Sequence, residues 1–103
     1  MALQIIAQGV WLYDGVSEAP VDVVALDYDW DYEFERSEGR LEPGQVPTPL
    51  NEQGVLYYAR FQHALRLEEP TWPDSPGVTT VAEAMELAQR KVVGPIRWLA
   101  QLA

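Results

Sequence analysis

Residues 23–36 read V-V-A-L-D-Y-D-W-D-Y-E-F-E-R, and from Leu26 onward the stretch alternates without a break. Leu26, Tyr28, Trp30, Tyr32 and Phe34 fall on one parity, and Asp27, Asp29, Asp31, Glu33 and Glu35 on the other. A β-strand sends successive side chains to opposite faces, so in an extended chain this run has one aromatic side and one file of carboxylates. At 100° per residue the same letters would scatter acids and aromatics around a helix. The stretch therefore predicts a long central strand over about 21–36, aromatic towards the core and acidic towards water.

Working outward, residues 2–13 are rich in Ile, Val, Trp and Tyr and predict a first strand, with Gly9 as a bulge where the register shifts. Asp14-Gly15 opens a turn that runs through Ala19-Pro20. From Ser37 to Gly54 the composition changes to Gly, Pro, Glu, Asn and Gln, and Pro43, Pro47 and Pro49 cannot donate to a ladder, so a long loop is expected. A third strand is expected over 55–67, with Val55, Tyr57, Ala59, Phe61, His63, Leu65 and Leu67 on one parity and Arg60 and Arg66 on the other. Paired with the central strand, it would bring both arginines to the carboxylate face. A second Pro-rich loop covers 68–77.

Thr80-Val81-Ala82-Glu83 fits a capping box and sets the start of a helix at Val81. Val81, Ala84, Met85, Ala88 and Val92 recur at 3- and 4-residue spacing as its apolar stripe, Glu86 and Arg90 are i,i+4 partners, and Gly94-Pro95 reads as a stop. Residues 96–99 fit a short fourth strand better than a last helical turn. The expected fold is α+β, an antiparallel sheet of three to four strands in the order β-β-β-α-β, with one helix packed on the aromatic face against Tyr28, Trp30 or Tyr32.

With 103 residues, 48% of them hydrophobic, the chain suits one domain with one core. It has no cysteine, so disulfides and thiolate metal sites are excluded and the core must hold the fold unaided. The first residues lack a basic segment followed by a sustained apolar run, and no stretch approaches the ~20 apolar residues of a membrane span, which makes a cytoplasmic protein the expectation. The formal charge of −9 is concentrated. Between Asp14 and Glu42 ten acids face only Arg36 and Arg40, so that span carries −8 and the remainder is almost neutral. Nucleic-acid phosphate and anionic membrane both demand clustered Lys and Arg, so this pattern argues against them and for a cationic partner.

An uncovered sheet face must be polar, which alone could account for Asp27, Asp29, Asp31, Glu33 and Glu35. Asp is nonetheless a poor strand former, and carboxylates spaced roughly 6.7 Å apart along a strand repel by about 0.6 kcal/mol per neighbouring pair even in water. Counting Asp27 as position 1 of a calcium loop places acids at 3, 5, 7 and 12, but position 6 requires Gly and holds Tyr32. No metal ligand set is assigned. His63, the single histidine, shares its parity with Phe61 and Leu65 and reads as structural. Ser17, Ser37 and Ser75 have no base nearby in sequence, and no Gly-rich phosphate loop is present, so neither catalytic residues nor a cofactor is assigned. The preferred reading is a non-enzymatic binding module, of an inhibitor, immunity-type or adaptor kind, whose acidic residues Asp27, Asp29, Asp31, Glu33 and Glu35 engage a basic protein surface. The alternative is a small-molecule-binding protein with an apolar pocket lined by Trp11, Trp72 and Trp98, a surface that would equally serve a homodimer.

Overall fold

The computed structural model describes residues 3–61 and 73–101. They form an α+β fold with the element order β1 (Gln4–Tyr13), β2 (Ser17–Leu26), α1 (Trp30–Ser37), β3 (Leu56–Phe61), α2 (Val81–Arg90) and β4 (Arg97–Gln101). The strands make one antiparallel sheet in the order β3-β2-β1-β4. No helix of the described residues is long and apolar enough to cross a membrane.

The hairpin β1–β2 is tighter than the sequence reading expects. Asp14 and Gly15 adopt φ of +55° and +82°, the left-handed pair that joins two strands without splaying them. Asp14 Oδ1 accepts from the amides of Val16 and Ser17, and β2 resumes at once. The bulge expected at Gly9 is present on the β4 side, where the register shifts between Gln8 and Gly9. Gly9 is also a close approach, since a Cβ there would come within 2.8 Å of the Trp98 ring and 3.2 Å of the Arg97 carbonyl.

The central strand is where structure and expectation part. β2 occupies 17–26, and its inner half, V-D-V-V-A-L over 21–26, is buried on both faces. A strand covered on both sides needs a continuous apolar run, and alternation is the mark of a half-solvated one. The alternating stretch is therefore not the sheet's centre. It leaves the sheet at Asp27 and forms α1, so the described residues hold two helices and the carboxylates do not share a sheet face.

Three features explain the turn to helix. Asp29 is an N-cap whose Oδ1 accepts from the Tyr32 amide at 3.1 Å. At the other end Gly39, at φ +71°, closes a Schellman motif: its amide donates to Arg36 O and that of Arg40 to Glu35 O. Between these caps, i,i+2 neighbours lie 200° apart around the helix, which disperses carboxylates that a strand would line up. Glu33 gains Arg36 at 2.6 Å in the process, and Trp30 stacks on Phe34 one turn later at 5.1 Å between ring centroids.

Helix α2 begins and docks largely as its pattern predicts. Thr80 Oγ1 accepts from the Glu83 amide and lies 2.9 Å from the Glu83 carboxylate. Glu86 and Arg90 are 3.7 Å apart. The helix ends at Arg90 with Lys91 as C-cap, before Gly94-Pro95, and Gln89 then ties the connection to β4 by donating to Gly94 O and accepting from the Ile96 amide. Ala84 and Ala88 are fully buried, and their small side chains let the helix lie close to Ile6, Ala7, Val21, Val23, Ala25 and Ala59.

That docking corrects the expected partner of α2. Met85 and Ala88 pack on the face carrying Val21, Val23, Ala25 and Ala59, whereas Tyr28 and Trp30 pack on the other face with Ile5, Val24, Leu26, Leu56 and Tyr58. Each face of the sheet thus has its own cover. Arg60 is likewise displaced from the expected carboxylates: it faces Asp22 across the β2–β3 pair and bonds its Oδ2 at 2.8 Å, both side chains being largely buried. Arg66 and His63, together with the rest of the expected third strand beyond Phe61, lie outside the described residues.

The outer edge of β3 is closed by residues 74–78. Asp74 N donates to Ala59 O, Ser75 Oγ accepts from Ala59 N, Asp74 Oδ2 accepts from Phe61 N, and Tyr57 and Val78 exchange both backbone bonds. A strand edge that would otherwise invite pairing is thereby satisfied internally.

Candidate functional site

The sequence nominates Asp27, Asp29, Asp31, Glu33 and Glu35, and the structure gives each a different situation. Asp27 is exposed on the bend after β2. Asp29 is committed to the fold twice, capping α1 with Oδ1 and accepting from the Thr48 amide with Oδ2 at 2.8 Å, which anchors the Pro-rich loop. Asp31 lies in the first turn of α1 with its pKa raised, chiefly by partial burial and then by the charges of Asp29 and Glu35. Glu33 and Glu35 carry Arg36 and Arg40 respectively. The acids therefore surround one short helix rather than lining a strand.

The helix is held in place by Tyr58, a residue without a role in the sequence reading. Its side chain is fully buried, and its hydroxyl accepts from the Trp30 amide at 2.8 Å while donating to Tyr28 O at 3.3 Å. Gly77 leaves space for this ring, since a Cβ there would stand 2.8 Å from the hydroxyl. Burial, reinforced by Asp29 and Asp31, pushes the phenol up to about 12, against the lowering effect of the Trp30 amide. Because the folded state favours the neutral phenol, this stabilisation is complete below the ordinary value near 10 and is lost as pH rises from there towards 12. Spectrophotometric titration should show one tyrosine ionising well after the exposed ones. Tyr58→Phe should cost about 1–3 kcal/mol by leaving the part-buried Trp30 amide unpaired, measured by denaturant unfolding.

Docking α1 in this way leaves an open groove of about 440 Å³ beside it, lined by Tyr28, Trp30, Glu33, Phe34 and Ser37. Phe34 is 42% exposed, a large apolar surface set among carboxylates. Aromatic walls beside a carboxylate, that of Glu33, can receive a cationic group, gaining from both charge and ring face.

The aromatic alternative is placed in part. Trp11 makes edge-to-face contacts with Tyr13 and Phe61 and, with Leu12, Tyr13, Val92 and Val93, lines a second open groove of about 700 Å³ between the hairpin and the end of α2. Trp98 packs beneath α2, against the same core residues as Trp11 but without lining this groove, and Trp72 lies outside the described residues. The Trp11 indole N–H is buried and has no acceptor among the described residues. Among the described residues no cluster of His, Cys, Asp or Glu is arranged to hold a metal ion.

Comparison with protein-family models, with curated proteins and with solved structures gave no match.

Asp29 deserves separation from the other acids in any test. Asp29→Ala removes the cap and the loop anchor together and should destabilise by about 1–2 kcal/mol, and Asp29→Asn, which keeps the cap acceptor but cannot accept twice as a carboxylate does, should fall between it and the wild type in thermal melts.

Proposed function

We propose that the protein is a non-enzymatic binding module whose α1 segment, Asp27 to Ser37, engages a basic surface of a partner protein. The observation that supports this most is the placement of an exposed aromatic groove within the most acidic part of the chain. The fold supplies the rigid support, through the Asp29 cap and the Tyr58 hydroxyl, that a preformed recognition element requires. Excess negative charge around the groove would steer a cationic partner and act mainly on its association rate.

The test uses Asp27 and Asp31, whose side chains make no hydrogen bond or ion pair among the described residues. Asp27→Asn/Asp31→Asn should leave stability unchanged or slightly raised at neutral pH, because Asp31 is charged there against a raised pKa. A partner isolated from the source cell by pull-down at low salt should be a basic protein. Its association with the purified module should slow with added salt, and association with the variant should be slow already at low salt. Unaltered association by the folded variant rules this reading out. The second reading, a small apolar ligand in the Trp11 groove, is favoured by that groove's larger volume. It is supported instead if a small molecule co-purifies and Trp11→Ala releases it.

A further inference from the structure

The chain already uses Phe34 to hold a guanidinium of its own. The Arg40 guanidinium carbon stands 5.5 Å from the centroid of the Phe34 ring, and its Nε and Nη2 donate to the two oxygens of Glu35 at 3.1 and 3.3 Å. A flat, delocalised cation meets a ring face and a carboxylate fork together, an arrangement that a compact ammonium matches poorly. The adjoining groove repeats these components. Tyr28, Trp30 and Phe34 supply ring surface, and Glu33 supplies a carboxylate on which both Arg36 bonds, at 3.0 and 2.6 Å, fall on Oε1.

We infer that this groove takes the guanidinium of an arginine side chain from the basic partner, in preference to a lysine ammonium. The inference rests on the reading that α1 engages a basic partner and specifies what the groove selects. Charge alone draws arginine and lysine equally, whereas the ring surface that Tyr28, Trp30 and Phe34 contribute to the groove lining rewards the cation that can lie flat on it.

The experiment is a calorimetric titration of the purified protein at low ionic strength with hexa-arginine and with hexa-lysine, two peptides of equal charge. Hexa-arginine should bind more tightly by about 3- to 30-fold. Phe34→Ala should remove that preference by weakening hexa-arginine more than hexa-lysine, and Phe34→Leu, which keeps apolar bulk without a ring, should do the same. Phe34 is exposed enough for both variants to fold, which thermal melts would check. Equal affinity of the wild-type protein for the two peptides, or an arginine preference that survives both Phe34 variants, overturns the inference and leaves the basic-partner reading in place. Failure of the wild-type protein to bind either peptide overturns both.

Discussion

Asp22→Ala should destabilise the fold by about 3–5 kcal/mol, because it strands the Arg60 guanidinium inside the sheet's covered face. Asp22 is 1% exposed and the Arg60 side chain 14%, and Arg60 Nε is buried without an acceptor among the described residues even in the wild type. A charge so placed cannot recover water when its partner is removed. The loss is large against the net 5–15 kcal/mol of a typical domain. Asp22→Ala/Arg60→Ala should recover the part of the loss that comes from stranding Arg60, and the double-mutant cycle should give a coupling energy of at least about 1 kcal/mol. Additive single losses in urea would mean that the pair contributes little as a pair. The pair's position also accounts for the polar residue in the otherwise continuous V-D-V-V-A-L run: its cross-strand partner is a cation.

Ala88→Asp should unfold the protein outright or reduce its stability by more than about 4 kcal/mol. Ala88 is fully buried among Val21, Ala59 and Ile96, where a carboxylate would find neither water nor a donor. Ala82→Asp, on the exposed side of the same helix, should stay within about 0.5 kcal/mol of the wild type. Circular dichroism and size-exclusion chromatography on the two variants separate a docked face from a general intolerance of α2 to charge. The docking side is tested by a pair of truncations. Met85→Ala and Trp30→Ala act on opposite faces of the sheet and should add within about 0.5 kcal/mol, whereas packing of α2 on Trp30 would make them couple.

The sequence was most legible where one local signal had one local meaning. Thr80 with Glu83 announced α2, the spacing of Ala84 and Ala88 gave its buried face, Gly9 marked a bulge, and the prolines of 37–54 excluded regular structure. The stretch from Leu26 to Arg36 misled because its alternation satisfies the strand rule, while the signals for a helix lie at its ends. Asp29 is a good cap, Gly39 a good terminator, and Asp is poor inside a strand, and these three together outweigh the parity pattern. Of the expected central strand only 21–26 belongs to the sheet; β2 begins earlier, in residues 17–20 that read as turn, and its doubly covered part shows no alternation to mark where it ends.

The candidate site was legible in composition and not in geometry. That acids and aromatics concentrate in one stretch is visible in the letters. Letters alone do not tell that Asp29 and Glu35 are tied into the cap and the Arg40 pair, that Trp30 and Phe34 stack to wall a groove, or that Tyr58, distant in sequence, supports the helix from below. The long-range tie through Tyr58 depends on β3 pairing beside β2, a register that no local pattern contains.

The claim that α1 is a preformed receptor for a cationic group is tested most directly by amide-resolved NMR of the isotope-labelled protein titrated with hexa-arginine at low ionic strength. Saturable shifts should concentrate on Tyr28 to Ser37, including the Trp30 indole, with little change at Trp11, Tyr13, Val92 or Val93 and with the pattern fading as salt is added. Shifts centred on the Trp11 groove, or spread evenly over every acidic residue without saturation, would contradict it.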